Sequence, residues 1–468
     1  MLFDSPVYLC FLTLVVVLYW RLGWRKQNLF LLMASYFFYG WWDWRFLALM
    51  LTSTLVDYSF ALRIADSSHA RLRKTLLITS LVMNFGFLGF FKYCNFFVDS
   101  FTHVLAFVGV HHVSTFFLKI VLPPGISFYT FQEVAYIVDV YHRKQEPSRS
   151  LIDYALFISL FPHLIAGPIQ RPSHLLPQVQ RPREFDSRKF FDGLMLILSG
   201  LFRKCVIADN CALLANAAFG GQLGHGFFSL IIGVYAFAWQ IYGDFSGYSD
   251  LARGSAQLLG FHFMVNFRQP YLASSLQDFW RRWHISLSTW LRDYLYIPLG
   301  GNRRGEGRTY VNLLTTMLLG GLWHGANWTF VVWGAAHGGW LAIERFFTSK
   351  ILRRRDDVSF GWAGRLATLS IVGLAWVFFR ATSVGQAFSM LAGITNLEWR
   401  PEYAPALIYL GLVSFVALAI DWRLEYAKEE YVFETARPRT ALTAALAMSA
   451  VITIFGALES SAFIYFQF

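Results

Sequence analysis

Apolar runs separated by short polar breaks fill almost the whole chain. The runs 6–20, 29–42, 46–64, 76–91 and 94–110 open the series. The runs 116–137 (broken), 152–166, 190–208, 227–242, 311–323, 328–347, 366–379, 406–420 and 440–458 continue it. A full membrane span takes about 20 apolar residues. Several runs are shorter, so those helices must tilt, re-enter or lie inside protein, and about ten to twelve true spans are expected. The pattern predicts an all-α polytopic membrane protein.

Three segments do not read as simple spans. In 122–141, LPPGISFYTFQEVAYIVDVY, Pro123 and Pro124 cannot occupy a helix interior and Gly125 weakens one. A broken helix at membrane depth is tolerated only inside protein or along a watery cavity. Residues 161–171, FPHLIAGPIQR, share that character, and 242–250, YGDFSGYSD, set Asp244 and Asp250 beside small residues at the end of an apolar run. A fourth segment, 275–296, is helical in pattern but too polar to span. Trp280, Trp283, Leu287 and Leu291 recur at three- and four-residue spacing and share a face. With Arg281, Arg282 and Arg292 at the headgroups, this predicts an interfacial or partly sunk helix.

Lys and Arg set the orientation. Arg21, Arg25 and Lys26 lie in the first break, and Arg63, Arg71, Arg73 and Lys74 in the third, while the break between them holds Arg45 alone. The N-terminus is therefore expected outside. Breaks at 303–308 (Arg303, Arg304, Arg308) and 350–365 (with Arg353, Arg354 and Arg355) are expected inside, as is the basic stretch 171–189. The first 20 residues lack a basic n-region and a small-residue cleavage site, so they read as a retained helix.

Composition narrows the class. Of 468 residues, 56% are hydrophobic and only 15% charged, against roughly 25% charged in average globular usage. The net charge of +11 lies between apolar runs, which points to loops facing anionic lipid rather than to nucleic acid. The four cysteines (Cys10, Cys94, Cys205, Cys211) are scattered and form neither a disulfide framework nor a metal pattern, and no metal is expected. No 20–50-residue repeat and no soluble domain is visible. The chain reads as one membrane domain with N-terminal helices over 1–110, a catalytic core over 116–348 and C-terminal helices over 349–468.

The candidate chemistry lies in 278–339. An apolar, Gly-rich stretch there carries His324 and His337. A histidine so placed is costly unless it has a partner or a task. His324 lies 14 residues past Tyr310, about 21 Å along a helix and beyond the midpoint of a roughly 30 Å core. A desolvated imidazole stays neutral and can accept a proton, as acyl transfer to a hydroxyl requires. His284 can orient the donor, polarise the acyl carbonyl or protonate the leaving group. His337 reads as packing or hydrogen bonding, Asp244 and Asp250 as partners of buried groups, and Glu133 and His163 as secondary candidates.

The motifs PPGISFYTFQ (123–132), FPHLIAGPIQR (161–171), YGDFSGYSD (242–250), NFRQPYLASS (266–275), DFWRRWHISLSTWLRDYLYIPLGGNR (278–303), GGLWHGANWTFVVWGAAHG (320–338) and FIYFQF (463–468) resemble the membrane-bound O-acyltransferase family, in its bacterial alginate and polysaccharide branch. The resemblance covers nearly the whole chain. It implies catalytic roles for His324, in the WHG context, and for His284. It also implies a donor-binding or site-lining role for Arg281, Arg282, Trp283, Trp323, Asn327 and Asp244. The implied fold is a ring of tilted helices, with re-entrant and interfacial ones, around a central channel in the bacterial inner membrane, with a periplasmic N-terminus. The implied reaction moves acetyl from a cytoplasmic donor, acetyl-coenzyme A with no bound cofactor, toward an exported polysaccharide such as alginate or bacterial cellulose. A periplasmic SGNH-like acetyltransferase and a polysaccharide export or synthase complex are the implied partners. Peptidoglycan or teichoic acid acyl transfer is the alternative within the family, and a transporter or flippase the alternative outside it, since broken helices and buried polar residues suit both.

The charge pattern yields a first prediction. A cysteine introduced at Arg304 is expected to react with membrane-permeant maleimide and to resist an impermeant reagent added to intact cells. Labelling by the impermeant reagent from outside would overturn the orientation.

Overall fold

The computed structural model describes residues 1–110, 120–165, 167–352, 359–432, 434–435, 438–457 and 463–464. Residues 116–119 of one expected helix, Ala166 at the end of another, Arg353–Arg355, Leu458 and the last four residues of the tail motif lie outside the described residues. Among the described residues every regular element is helical. Four helices are long and apolar enough to cross a membrane: Arg45–Asp66, Ala70–Phe107, Gly361–Arg380 and Tyr403–Ala427. Pro6–Tyr19, Val384–Thr395 and Arg439–Phe455 are shorter apolar helices. The chain is an all-α membrane protein.

It divides into two compact units, 1–190 with 255–263, and 191–254 with 264–468. In the first, buried polar groups tie helices together where hydrocarbon offers them no partner. Asp57 on Arg45–Asp66 accepts hydrogen bonds from Ser80 (2.5 Å) and Asn84 (2.7 Å) of the neighbouring helix. Glu133 on Ile126–Tyr141 accepts from Ser53 (2.9 Å) and Thr54 (3.2 Å). The predicted break at Pro123–Gly125 is present: Gly125 adopts φ +74° and the helix begins at Ile126. A Cβ there would collide with the Leu164 carbonyl, so Gly125 supplies both a left-handed turn and a close approach. The second expected break gives only the four-residue helix Phe161–Leu164.

Three expected boundaries are wrong, each for a physical reason. Runs 76–91 and 94–110 are one helix, Ala70–Phe107, continued through a π turn at Gly89–Tyr93. Lys92, which reads as a polar break, lies on that turn and donates to Ser127 at 3.4 Å. The apolar run 227–242 and the segment 242–250 are likewise one 32-residue helix, Phe227–Leu258. Its interior carboxylates are neutralised: Asp244 pairs with Lys204 at 3.0 Å and Asp250 with Arg203 at 3.1 Å. Finally, 275–296 is not one helix. It is Leu276–Arg282, then Ile285–Leu291, then a π turn at Arg292–Tyr296, because His284 between them takes φ +43°.

Glycines set the helix spacing in the second unit. A Cβ on Gly200 would lie 2.6 Å from the Gly247 carbonyl oxygen, and one on Gly247 2.7 Å from that of Gly200. Helices Glu306–His324 and Trp328–Phe346 form an antiparallel hairpin joined by three residues. Gly321 faces the Phe330 carbonyl across it, and Gly334 the Met317 carbonyl, each too near to admit a Cβ. Such contact lets backbones approach where no hydrophobic effect drives helices together.

A second prediction follows from that spacing. Gly321→Ala is expected to destabilise the protein by about 1–3 kcal/mol through overpacking. Gly339→Ala, with no atom near the added methyl, is expected to match or exceed the native stability. Thermal unfolding in detergent is the measurement. Equal midpoints would show that the hairpin relaxes freely.

Candidate active site

His284 is the geometric centre of the site. It caps Ile285–Leu291 from a left-handed conformation and is fully buried. A non-glycine residue there carries backbone strain that its surroundings must hold. They do so through Asn266: the Ile285 N–H donates to the Asn266 carbonyl (2.9 Å), and the Asn266 side-chain oxygen accepts from the Ser286 N–H (3.2 Å) and hydroxyl (2.9 Å). The Ser286 N–H can only donate, which fixes that end of the amide as oxygen, and the Asn266 amide nitrogen then donates to Ser249 at 3.3 Å. That oxygen lies 3.1 Å from His284 Nδ1. Nδ1 therefore carries the ring proton and Nε2 the lone pair. Among the described residues no group pairs with Nε2. The two seven-residue helices are too short to span, and burial between them lowers the His284 pKa, keeping the ring neutral.

His324 ends helix Glu306–His324 and is 4% exposed. Its ring centroid is 6.4 Å from that of His284. Trp323, Trp333 and Phe379 wall it at 5.1, 5.2 and 5.2 Å. Trp323 also touches His284 at 5.9 Å, and Phe245 closes the other side at 4.6 Å. Two buried imidazoles thus sit within one cage of aromatic rings, one of them with a fixed tautomer.

The other expected residues separate by position. Trp283 is 1% exposed and stacks on Phe279 at 5.5 Å, an anchor of the core around the chamber. Asn327 caps helix Trp328–Phe346, accepting from the Thr329 N–H at 3.0 Å and donating to the Thr382 carbonyl at 3.2 Å. Asp244 lies in an ion cluster with Lys204, which also pairs with Asp209 at 2.7 Å. Asp244 accepts the Ile464 N–H at 2.7 Å, so it holds the described part of the tail motif, whose Phe463 ring meets Tyr248 at 4.3 Å. Arg281 and Arg282 line a separate cavity of about 750 Å³ with Arg345, Arg365 and Glu344. Arg282 is braced by Asp278 (2.7 Å) and Glu425 (2.8 Å). Glu344 accepts the Leu276 and Gln277 N–H groups at 2.7 and 3.1 Å, capping the helix that carries both arginines. Among the described residues no cluster of three or more His, Cys, Asp or Glu has metal-binding geometry.

Sequence reasoning assigned no role to Asn266, Ser286 or Ser249. Asn266 opens the NFRQPYLASS motif 18 residues before His284, and only the fold brings it to the ring.

The family model for the membrane-bound O-acyltransferase family matches residues 127–391, more than half of the chain and inclusive of both histidines. The chain belongs to that family. It is an O-acyltransferase. The chain is 46% identical over 396 residues to the probable alginate O-acetylase AlgI of Pseudomonas aeruginosa (83% of this chain, 74% of that one). It is 44% identical over 407 residues to the protein of the same name in Pseudomonas putida (86% and 81%). It is 37% identical over 432 residues to the peptidoglycan O-acetyltransferase of Helicobacter pylori (85% and 80%).

If the acyltransferase uses the His284 lone pair, the orienting amide matters. Asn266→Ala is expected to lower turnover by about tenfold or more, within the roughly 10²–10⁴-fold worth of acid–base catalysis. Asn266→Asp keeps an oxygen acceptor and is expected to retain more. Equal turnover of native and both variants, at equal folded yield, would remove the tautomer from the mechanism.

Proposed function

We propose that this acyltransferase moves an acetyl group from acetyl-coenzyme A on the cytoplasmic side toward an exported polysaccharide. His324 acts as the general base, and His284, whose unprotonated Nε2 can accept a hydrogen bond but not donate one, orients the acyl donor. The observation that carries this reading is the paired, buried imidazoles, 6.4 Å apart, one with an oriented lone pair. In the reaction the acceptor hydroxyl gives its proton to His324 as its oxygen bonds the acyl carbon. The carbon–sulfur bond then breaks, and the proton returns to the thiolate, so the site ends as it began. Enclosure by Trp323, Trp333 and Phe379 disfavours loss of the acyl group to water.

Arg281, Arg282, Arg345 and Arg365 around one cavity suit the phosphates of the donor. The expected inward orientation of residues 303–308 is consistent with Asn302 and Glu306 being in the same lining. The cytoplasmic membrane of a bacterium, with the N-terminus on the periplasmic side, is the location that fits this direction of transfer. The polymer is alginate or a similar exopolysaccharide such as bacterial cellulose, reached through a separate periplasmic SGNH-like acetyltransferase alongside the export or synthase complex. The names of the Pseudomonas relatives support it. Peptidoglycan O-acetylation is the second reading, favoured by the 37% identity to the Helicobacter pylori enzyme along most of both chains.

The test uses purified full-length protein in detergent with acetyl-labelled coenzyme A. Label is expected to reach a polysaccharide acceptor, the partner enzyme or water. His324→Ala is expected to lose about 10²-fold or more of that turnover while still inserting in the membrane. An active His324→Ala protein would sink the assignment of the base. Turnover on peptidoglycan fragments and not on alginate oligomers would select the second reading.

A further inference from the structure

A cavity of about 660 Å³ in the first unit has no part in the reaction above. Arg181, Arg183 and Lys189 line it with Glu184 and Asp186, beside the rings of Trp20, Phe185 and Phe190. Two of the stretches whose charge places them inside, 21–26 and 171–189, meet here. The Trp24 indole donates to the Val179 carbonyl at 3.2 Å, and the Trp20 ring meets Phe185 edge-on at 5.3 Å. Arg21, Arg25 and Lys26, all exposed, add their charge to the same side of the unit.

Arg183 is the fixed cation of the cavity. Its guanidinium donates to the Tyr19 hydroxyl, to the Gln178 and Val179 carbonyls and to the Gln27 and Asn28 side-chain oxygens. Phe261 faces it at 4.7 Å. Every one of those acceptors is neutral. Asp153 is reached only through Asn28, which donates to it at 2.8 Å. Hydrogen bonding therefore holds Arg183 in place without cancelling its charge. Of the two acids in the lining, Asp186 is committed to the start of helix Ser187–Leu201, where it accepts from the Arg188 and Lys189 N–H groups at 2.9 and 3.2 Å. Positive charge is in excess, and an anion is what the cavity would hold.

The rings say which kind of anion. Trp20 directly follows the apolar helix Pro6–Tyr19, the place of an aromatic residue at headgroup depth. Phe185 packs on Trp20 and, at 5.5 Å, on Phe190, yet remains 57% exposed. A free inorganic anion gains nothing from such a surface. A phospholipid gains from both parts, since its phosphodiester meets the cations and its acyl root meets the rings. Basic pockets on the cytoplasmic side of membrane helices take anionic headgroups for this reason.

We propose that this cavity holds the headgroup of an anionic phospholipid of the cytoplasmic leaflet, its phosphodiester against Arg181 and Lys189 over the fixed charge of Arg183, and its acyl root against Trp20 and Phe185. The choice of leaflet rests on the orientation proposed above; the binding itself does not.

The test follows thermal midpoints of the full-length protein in neutral detergent, titrated with phosphatidylglycerol, phosphatidylcholine or inorganic phosphate. Native protein is compared with Arg181→Gln/Lys189→Gln and with Arg71→Gln/Lys74→Gln, which removes the same charge from another break of the same unit. All four side chains are exposed. Phosphatidylglycerol is expected to raise the native midpoint saturably, and phosphatidylcholine to leave it in place. The apparent Kd for phosphatidylglycerol is expected to weaken about 25-fold in Arg181→Gln/Lys189→Gln, from about fivefold for each basic residue, and to stay native-like in Arg71→Gln/Lys74→Gln. An unchanged Kd in the cavity variant would overturn the site, as would an equal loss in both double variants or no shift of the native midpoint. An equal shift with inorganic phosphate alone would make the ligand a free anion and overturn the lipid. Should the cavity variant not fold, lipid retained by the native protein through purification and counted by mass spectrometry decides. Enrichment of phosphatidylglycerol over its share of the membrane is expected, and its absence would overturn the proposal. Acyl transfer is not read in any arm, so each result leaves the reaction above standing.

Discussion

A bilayer interior offers no partner to a polar group, and every choice in this chain is made against that constraint. An N–H, a carboxylate or an imidazole placed there must be satisfied by the protein or by something the protein binds. Asp57, Glu133, Asp244 and Asp250 take the first course. Each is met by hydroxyls, an amide or a cation on a neighbouring helix or turn, and each then fastens the elements it joins. His284 is satisfied at Nδ1 and, among the described residues, meets no partner at Nε2. That asymmetry converts a structural hydrogen bond into a chemical orientation, because fixing one nitrogen defines the other as the base or acceptor.

The same constraint explains why the long helix Phe227–Leu258 runs unbroken through a sequence that looks like a break. Two aspartates in one helix interior would be prohibitive if unpaired. The π segment Phe202–Ala208 places consecutive residues Arg203 and Lys204 against carboxylates six residues apart on the long helix. The ion pairs are retained at a desolvation cost that packed apolar residues would avoid. What they bring is register, since Asp244 also takes the Ile464 N–H and so ties the end of the described chain to the helix behind Phe245 and His284.

Much of this was legible in the sequence. The apolar runs specify a helical membrane protein, and the run 311–323 lies within one helix, Glu306–His324, that ends on a buried His324. The breaks at Pro123–Gly125 and Phe161–Leu164 follow from residues that cannot continue a helix. What failed has a common cause. Asp244 and Asp250 read as an interruption because local polarity carries no trace of Arg203 and Lys204, the distant groups that neutralise them. His284 was read into a continuous helix because nothing local announces a left-handed histidine. The strain is paid by Asn266, 18 residues away, and a pattern with a period of 3.6 residues contains no such information. Asn266 therefore escaped notice although its motif was visible.

His337 separates these two kinds of ignorance. From the sequence, an imidazole 13 residues past His324 on a returning apolar helix is reasonably a packing group. The fold removes the ordinary justification for that reading, since packing in an aromatic cage would be served as well by Phe, without stranding two nitrogens. Trp280 and Trp333 sharpen the point: their rings fill space as Phe would, yet each also carries a buried N–H that no group among the described residues receives.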